Sequence, residues 1–281
     1  MISTLQSVLK KASREHYAVG AFNISNLEQI QAVIWAAEEG RSPVIVNVTA
    51  KAIEYGGLEV ISSIVQIMAK NATVPVVLNL DHGRNVGLAK ECIEAGFSGI
   101  MFDGSTLPYA KNVQRTAEVV RAAQKVNVGV EGELGRVKYP ADMKKDPIVV
   151  KTDPDQAADF VERTGVSAFA VAIGNSHGLP VPHEHLDFAL LDTLHRRLKV
   201  PLVLHGASGT PPKAIRKAIS LGIAKINIDT DLRLAFTKGL RAFLASKPDA
   251  WDPREELAPA RQAVQDAVLA HMKMFGSLKQ A

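Results

Sequence analysis

The sequence alternates short apolar runs with stretches of helical period, and this alternation occurs eight times. The apolar runs are rich in β-branched residues and occupy residues 18–23, 43–49, 74–81, 99–103, 127–134, 167–173, 201–206 and 225–230. Continuous apolar strands that alternate with helices are typical of a parallel sheet covered on both faces. Eight such units are the number that closes a barrel. The sequence therefore predicts an α/β fold, a (β/α)8 TIM barrel.

Both ends of the chain predict a helix outside the eight units. Near the N-terminus, Ile2, Leu5 and Leu9 would share one face of a helix. Residues 251–275 predict one extra helix that begins at Asp252-Pro253, because proline suits the first helical turn. No linker rich in Pro, Gly or Ser interrupts the chain. We therefore expect a single domain over residues 1–281, with an N-terminal helix and an extra C-terminal helix.

Composition and charge narrow the classes of function. The chain is 47% hydrophobic, so it can bury a full core, yet no stretch approaches the ~18 apolar residues that a membrane span needs. The net charge of +4 is scattered among acidic residues, and aromatic residues for base stacking are few, which argues against nucleic-acid binding. Cys92 is the only cysteine, and the N-terminus lacks the pattern of a secretory signal. We expect a cytoplasmic protein with no membrane or nucleic-acid partner.

Three histidines each follow a predicted strand, namely His82, His177 and His205. The active site of a (β/α)8 barrel lies at the rim where the carboxyl ends of the strands meet. Three imidazoles at that rim can hold a divalent metal and leave one coordination position open, which is the pattern of a catalytic zinc. A single histidine at a strand end is more often a hydrogen-bonded structural group. The metal prediction therefore depends on all three coming together.

Other polar residues also end the strands. They are Asn23, Thr49, Asp81, Asp103, Glu131, Glu133, Asn227, Asp229 and Thr230. A polar residue in an apolar strand needs a partner or a function, and a polar end on every strand is hard to explain by stability alone. Structural alternatives stay open for some of them. Asp81 could cap the next helix, Asp103 could form a turn, and Glu133 could pair with Arg136.

Segments after the last strands could bind an anion. GNSHG (174–178) and HGASG (205–209) expose backbone N–H groups to an anion or are simply tight turns. Thr230 and Asp231 would open a helix whose N-terminus attracts a phosphate while Asp231 caps it. A phosphate site beside the metal, with Asn227 and Asp229 able to bind hydroxyl groups, predicts a phosphorylated hydroxyketone. Asp81 could give or take a proton on the second carbonyl.

Six motifs in this order resemble one known family, the zinc-dependent, class II fructose-bisphosphate and tagatose-bisphosphate aldolases. The motifs are LDHG (80–83), DGS (103–105), VEGELG (130–135), VAIGNSHG (171–178), LVLHGASG (202–209) and KINIDTDLR (225–233). The resemblance extends from residues 21–29 to residues 252–264. It implies a carbon–carbon lyase of carbohydrate metabolism, acting in glycolysis or a related pathway. Such an enzyme reversibly cleaves a ketose 1,6-bisphosphate into dihydroxyacetone phosphate and glyceraldehyde 3-phosphate through a metal-stabilised enediolate.

The resemblance also implies roles for the matching residues. His82, His177 and His205 match the zinc ligands, and Asp81 matches the acid that protonates the aldehyde oxygen during cleavage. Two further carboxylates, on Asp103 and Glu133, match groups near the metal that can hold an alternative or second cation. The resemblance places Gly178, Gly206, Ser208, Asp229 and Thr230 in the phosphate pocket, with Asn227 on the enediolate hydroxyl. Asn23 and Thr49 join the predicted substrate pocket because they end the first two strands.

The resemblance further implies a monovalent cation and an assembly of subunits. A sodium or potassium ion near the phosphate is usual in the family. Arg254 matches an arginine that reaches a neighbouring subunit's site and holds the distal phosphate. We therefore expect a homodimer or homotetramer.

Two segments depart from the family's pattern. After GELG the family usually has a mobile Gly-rich loop with a Glu that exchanges a proton at C3 of dihydroxyacetone phosphate, but residues 136–152 contain neither Gly nor Glu. Asp142 or Asp146 could replace that base. Residues 179–181 are Leu-Pro-Val, where many relatives have an aromatic residue and a phosphate-binding lysine. These differences leave open another phosphorylated sugar or sugar acid as substrate, or a metal-binding homologue with little catalysis.

Two other chemistries of this barrel fit the sequence less well. A Schiff-base aldolase needs a lysine inside the barrel near the carboxyl-terminal rim, whereas Lys225 lies at the start of the eighth apolar run. Metal-dependent hydrolases usually carry HxH on the first strand, which here ends in Ala21-Phe22-Asn23. A separate HxH at 183–185 lies in a polar loop and is better interpreted as a solvated segment.

Overall fold

The computed structural model describes residues 1–137, 150–178 and 185–281. Eight strands form one closed barrel, in which each strand pairs in parallel with the next and the eighth pairs with the first. They are β1 Val19–Asn23, β2 Val44–Thr49, β3 Val76–Gly83, β4 Gly99–Phe102, β5 Gly129–Leu134, β6 Ala168–Val171, β7 Leu202–Leu204 and β8 Ile223–Ile228. The predicted (β/α)8 barrel is confirmed, and every strand overlaps its predicted apolar run.

Helices surround the barrel and also occupy both ends of the chain. They are α1 Leu5–Glu15, α2 Leu27–Gly40, α3 Ala50–Gly56, α4 Leu58–Asn71, α5 Val86–Glu94, α6 Tyr109–Gln124, α7 Pro154–Thr164, α8 Phe188–Arg197, α9 Pro212–Ser220, α10 Thr230–Ser246 and α11 Pro253–Phe275. The helices α1 and α11 correspond to the predicted terminal helices. Two helices, α3 and α4, fill the connection between β2 and β3, for which the sequence pattern predicted no particular helix. Across the described ranges, we find no helix with the length and apolar character to cross a membrane.

Because side chains alternate between the two faces of a strand, those on the inner face fill the inside of the barrel. The interior cluster contains Val19, Ala21, Ile45, Val77, Met101, Ala168, Ala170, Val203 and Ala224. Helix α1 closes the amino-terminal end of the barrel, because Leu5 and Leu9 pack into this cluster and are fully buried. Since successive side chains of a strand face opposite sides, the next inward positions along these strands lie at the carboxyl-terminal rim. Apolar side chains thus fill the interior below the rim, and the inward positions at the rim are occupied by polar residues.

The outward side chains of the strands form the larger core with the helices. Phe22, Val46 and Leu78 belong to it and are fully buried. Burial of each such side chain stabilises the fold by roughly 1.5–3 kcal/mol. The C-terminal helix α11 packs against α2, α10 and β1 and so belongs to this outer layer.

Candidate active site

Three strands of the barrel end in inward-facing polar side chains that contact one another. Side chains an even number of residues apart in a strand share a face, so Asn23 and Asp81 face inward like Ala21 and Val77. Asn227 follows the fully buried Lys225 by two positions in β8 and pairs with Ala21 of β1. All three polar side chains are buried. Asn23 Nδ2 donates a hydrogen bond to Asp81 Oδ2 at 2.7 Å, and Asn227 Nδ2 donates to Asp81 Oδ1 at 3.0 Å. The carboxylate at the end of β3 is therefore held from two sides.

His82 reaches the same site because β3 is irregular at this point. As the neighbour of Asp81, it would face the opposite side of a regular strand. The pairing register between β3 and β4 shifts between Leu80 and Gly83, and His82 has a φ of 49°, in the left-handed region. Such a backbone costs on the order of 1–3 kcal/mol in a residue with a Cβ, and a bulge of this kind redirects a side chain. The irregularity brings two adjacent residues to one site.

His205 and His177 come from the ends of β7 and β6. The former directly follows β7 and is fully buried, whereas the latter lies in the loop after β6. Asn175 joins the two segments, because its Nδ2 donates to the backbone oxygen of His205 at 2.9 Å. A Cβ at Gly206 would lie 2.0 Å from the backbone oxygen of Ser176, so only glycine permits this approach. The loop after β6 therefore packs directly on the end of β7.

The three imidazole rings face one another, as the metal prediction requires. The ring centroid of His82 lies 4.9 Å from that of His177 and 4.7 Å from that of His205. One nitrogen of each ring lies within 4.8 Å of the others, so a single metal ion could contact all three. His82 Nε2 is buried and has no hydrogen-bond partner among the described residues. A buried polar atom of this kind is costly unless a ligand binds it, so the cluster fits a metal.

Burial and neighbouring charges give the three histidines different protonation states. Burial, followed by the nearby imidazoles, lowers the pKa of His177 to about 3, and burial also lowers the pKa of His205. Burial opposes the charge of His82 too, but the carboxylates of Asp81 and Asp103 outweigh burial and raise the pKa of His82 to about 9. Only a neutral imidazole binds a metal. His177 and His205 are already neutral, whereas His82 must first lose a proton.

Two carboxylates flank His82. Asp103 Oδ2 lies 3.1 Å from His82 Nδ1 and accepts a hydrogen bond from Arg84 Nε at 2.9 Å. Glu133 is buried, and its Oε2 has no hydrogen-bond partner within the described part of the chain. Burial, followed by the charge of Asp103, raises the pKa of Glu133 to about 8. His82, Asp103 and Glu133 form a second group able to hold a cation. The donors of the predicted alternative cation site therefore lie close together.

Asp81 is ionised and does not cap a helix. Burial opposes its ionisation, but the positive charges of His82 and Lys225 and the hydrogen bond from Asn23 outweigh burial and lower its pKa. The next helix, α5, is instead capped by Asn85, whose side chain accepts hydrogen bonds from two backbone N–H groups. The capping alternative for Asp81 is therefore wrong.

The N-terminus of α10 lies beside the loop after β7. Helix α10 begins at Thr230, and Asp229 precedes it without a capping hydrogen bond from its side chain. Asp231 is the second residue of the helix, so its predicted role as the cap is wrong. Its Oδ2 accepts from Gly209 N, and its backbone N donates to Ser208 Oγ, each at 3.3 Å. These hydrogen bonds hold the loop after β7 against the N-terminus of α10, and the N-terminal end of a helix favours anions.

The remaining predicted pocket residues have more varied surroundings. Gly178 and Gly206 have φ values of 89° and 62°, in the left-handed region that glycine permits. Asp229 Oδ1 accepts from Arg233 Nε at 2.5 Å, while burial raises the pKa of Asp229. Thr49 Oγ1 accepts from a backbone N–H of α3 and caps that helix, which is a structural role at the rim.

Among the described residues, the side chain of Arg254 pairs with Asp252 and not with the histidine cluster. The Arg254 side chain is 89% exposed at the start of α11 and pairs with Asp252 at 2.7 Å. Asp142 and Asp146, the predicted substitutes for the loop base, lie outside the described residues. The same holds for residues 179–181 and for His183.

Two charged residues lie beneath the site: Glu131, which was predicted at a strand end but without a role, and Lys225, which was not predicted as a site residue. Glu131 Oε1 lies 2.7 Å from His205 Nε2, and Lys225 Nζ lies 2.8 Å from both Glu131 Oε2 and Asn227 Oδ1. The available signal was spacing, because Glu131 and Lys225 each precede a predicted site residue by two positions. Lys225 was expected at the start of the eighth strand, but it is the third residue of β8 and is fully buried inside the barrel. Its ammonium group is already bound by Glu131 and Asn227, which argues against a Schiff-base lysine.

Comparison with known proteins agrees with this geometry. The family described as fructose-bisphosphate aldolase class II matches residues 3–280. A fructose-bisphosphate aldolase of Geobacillus stearothermophilus is 41% identical over 277 residues, which cover 98% of this chain and 96% of that protein. A sulfofructosephosphate aldolase of Alkalicoccus urumqiensis is 38% identical over 280 residues, covering 98% and 97% of the two chains. The crystal structure of the YdjI aldolase from Escherichia coli K12 superposes with a TM-score of 0.89 at 37% identity, over 100% of both chains. The chain therefore belongs to the class II fructose-bisphosphate aldolase family and is a carbon–carbon lyase.

Proposed function

We propose that this protein is a zinc-dependent aldolase that reversibly cleaves a ketose 1,6-bisphosphate, such as fructose or tagatose 1,6-bisphosphate, into dihydroxyacetone phosphate and glyceraldehyde 3-phosphate. The observation that carries the proposal is the position of Asp81 beside the three-histidine cluster, held by the amides of Asn23 and Asn227. A three-histidine cluster alone suits several reactions. A buried, ionised carboxylate next to it adds the proton exchange that aldol cleavage needs.

His82, His177 and His205 would hold the metal and leave a coordination position for substrate oxygens. We propose zinc because three imidazoles with an open position are its usual catalytic donor set. When bound, it would polarise the ketose oxygens and stabilise the negative charge of the enediolate. Glu133 and Asp103 supply the donors of the alternative cation position.

Asp81 would accept the proton of the C4 hydroxyl group during cleavage. Breaking the C3–C4 bond leaves the electron pair on C3 and turns the C4 hydroxyl into an aldehyde carbonyl, so that hydroxyl loses its proton. A carboxylate whose pKa is lowered is in the right state to accept it. In the reverse direction the protonated Asp81 would donate to the aldehyde oxygen. Protonation of the aldehyde oxygen, which the resemblance assigned to cleavage, therefore belongs to condensation.

The substrate would lie between the metal and the start of α10. Asn227 would donate to the enediolate hydroxyl, since its Nδ2 faces the site. The phosphate would contact the region formed by Gly178, Gly206, Ser208, Asp229 and Thr230, with a sodium or potassium ion beside it. The exposed Arg254 is suited to reach the site of a neighbouring subunit in a homodimer or homotetramer. We place this enzyme in the cytoplasm, in glycolysis or a related pathway.

A second candidate is cleavage of a different phosphorylated sugar or sugar acid. It is favoured by the 38% identity to a sulfofructosephosphate aldolase, which shows that related sequences act on another substrate. The absence of Gly and Glu from residues 136–152 also favours it, because that segment differs from the usual loop of the family.

Release of dihydroxyacetone phosphate tests the proposed function. The zinc-loaded protein is incubated with fructose 1,6-bisphosphate or tagatose 1,6-bisphosphate, each with and without a chelator. We expect cleavage of at least one of them, with loss of activity in the chelator and recovery when zinc is restored. Cleavage of neither, with zinc bound, would contradict the main proposal and favour another sugar or a protein with little catalysis. Cleavage that resists the chelator would contradict the role of the metal.

Zinc uptake by the metal-free protein is expected to release protons. At about pH 7.5 His82 is charged, because its pKa is about 9, and it must become neutral to bind metal. Affinity should therefore rise about tenfold for each pH unit up to about 9 and then level off. Calorimetry in two buffers of different ionisation enthalpy measures the protons released at pH 7.5 and at pH 10. Equal release at both pH values would show that His82 is not the group that loses its proton.

A further inference from the structure

An ion pair is buried in the barrel directly beneath the candidate site. Lys225 Nζ lies 2.8 Å from Glu131 Oε2, and neither side chain has any exposed surface. Burial of two charges is costly, and a pair of apolar side chains of similar volume often stabilises a fold as well or better. Stability alone therefore gives little reason for charges at these positions. Each member of the pair also contacts a residue of the site.

Glu131 orients the ring of His205. Its Oε1 lies 2.7 Å from His205 Nε2, and Asn227 Nδ2 lies 3.2 Å from His205 Nδ1 on the other side of the ring. Because an amide N–H can only donate, Nδ1 is the acceptor and Nε2 carries the hydrogen that is donated to Glu131. Nδ1 therefore keeps its lone pair, and a metal would take that lone pair in place of the hydrogen bond from Asn227.

Lys225 orients the amide of Asn227. Its Nζ donates to Asn227 Oδ1 at 2.8 Å, and an ammonium group has no acceptor, so the amide oxygen must face it. The amide Nδ2 is consequently directed to Asp81, which can only accept. A rotated amide would bring its oxygen against the carboxylate of Asp81 and would turn the donor away from the substrate.

We propose that Glu131 and Lys225 form a positioning pair that sets two groups of the site at once, the metal-binding nitrogen of His205 and the donating amide of Asn227. The proposal rests on the proposed aldolase function for its effect on turnover. Neither residue contacts the substrate, and both act through the residues above them. The competing explanation is a purely structural pair, whose two charges only compensate each other.

A double variant separates the two explanations. Lys225→Met leaves a buried carboxylate unpaired, so this single variant should lose about 10 °C in Tm or fail to fold. Glu131→Leu combined with Lys225→Met removes both charges at similar volume and should recover most of that loss. Ile45→Ala serves as the matched control, because it lowers Tm by creating a cavity in the same interior cluster without touching the network.

Positioning predicts that the double variant recovers stability but not function. We expect its kcat to fall about 10- to 100-fold with little change in KM, and the affinity of its metal-free form for Co²⁺ to fall about 10-fold or more. Ile45→Ala should keep wild-type kcat and Co²⁺ affinity despite its lower Tm. A stable double variant that keeps the wild-type value of either quantity would overturn the joint role. If the wild type cleaves neither bisphosphate, the proposed function fails, and Co²⁺ affinity alone then decides whether Glu131 positions His205.

Discussion

His177→Ala is expected to lose zinc and cleavage activity together. The proposed zinc site has three histidine donors, and removal of one leaves two imidazoles, which is fewer than a catalytic zinc requires. Since the metal contributes several kcal/mol of charge stabilisation, cleavage should fall by at least about 10³-fold. Elemental analysis after dialysis and an assay of dihydroxyacetone-phosphate release measure the two losses on the same sample.

His195→Ala is the matched control for this experiment. His195 is exposed on α8, outside the barrel, and its removal should leave both zinc content and turnover unchanged. His177 lies in a loop and not in a strand, so the barrel should survive its replacement, which circular dichroism can verify. Full zinc occupancy in His177→Ala would remove this residue from the ligand set.

The barrel and much of its rim could be predicted because side chains alternate along a strand with a fixed period. Once β1, β3 and β8 are recognised, Asn23, Asp81 and Asn227 are inward-facing residues at one end. Physical chemistry then requires partners for such buried polar groups. These inferences need only the positions of the strands and the closure of eight strands into a barrel. The structure confirms the strands and the closed barrel.

Other parts of the site depend on contacts that no local pattern contains. Regular alternation places His82 on the outside of β3, and its actual direction comes from a register shift against β4. The position of His177 depends on a loop that Asn175 ties to the end of β7. Glu131 and Lys225 meet across the interior between β5 and β8, which are not neighbours in the sheet. Spacing could have placed each of the two on an inner face, but their contact with each other follows only from closure of the barrel.

Asp81→Ala should keep zinc but lose cleavage by about 10²–10⁴-fold, the range expected when a general acid or base is removed. The variant cannot accept the C4 hydroxyl proton, and it leaves the amides of Asn23 and Asn227 without their acceptor. Exchange of the C3 proton of dihydroxyacetone phosphate does not involve the aldehyde oxygen. We therefore expect this exchange, followed by NMR in deuterated water, to persist while cleavage is lost.

Asp81→Asn distinguishes proton transfer from positioning. An asparagine has nearly the same volume and can still accept from one of the two amides, but its side chain cannot take up the C4 proton. If proton transfer is the role of Asp81, cleavage by Asp81→Asn should be as slow as that by Asp81→Ala. Recovery in the asparagine variant would instead assign Asp81 a positioning role. Asp192→Ala, at a partly exposed ion pair on α8, is the control and should match the wild type. Wild-type turnover in Asp81→Ala would remove this carboxylate from the mechanism altogether.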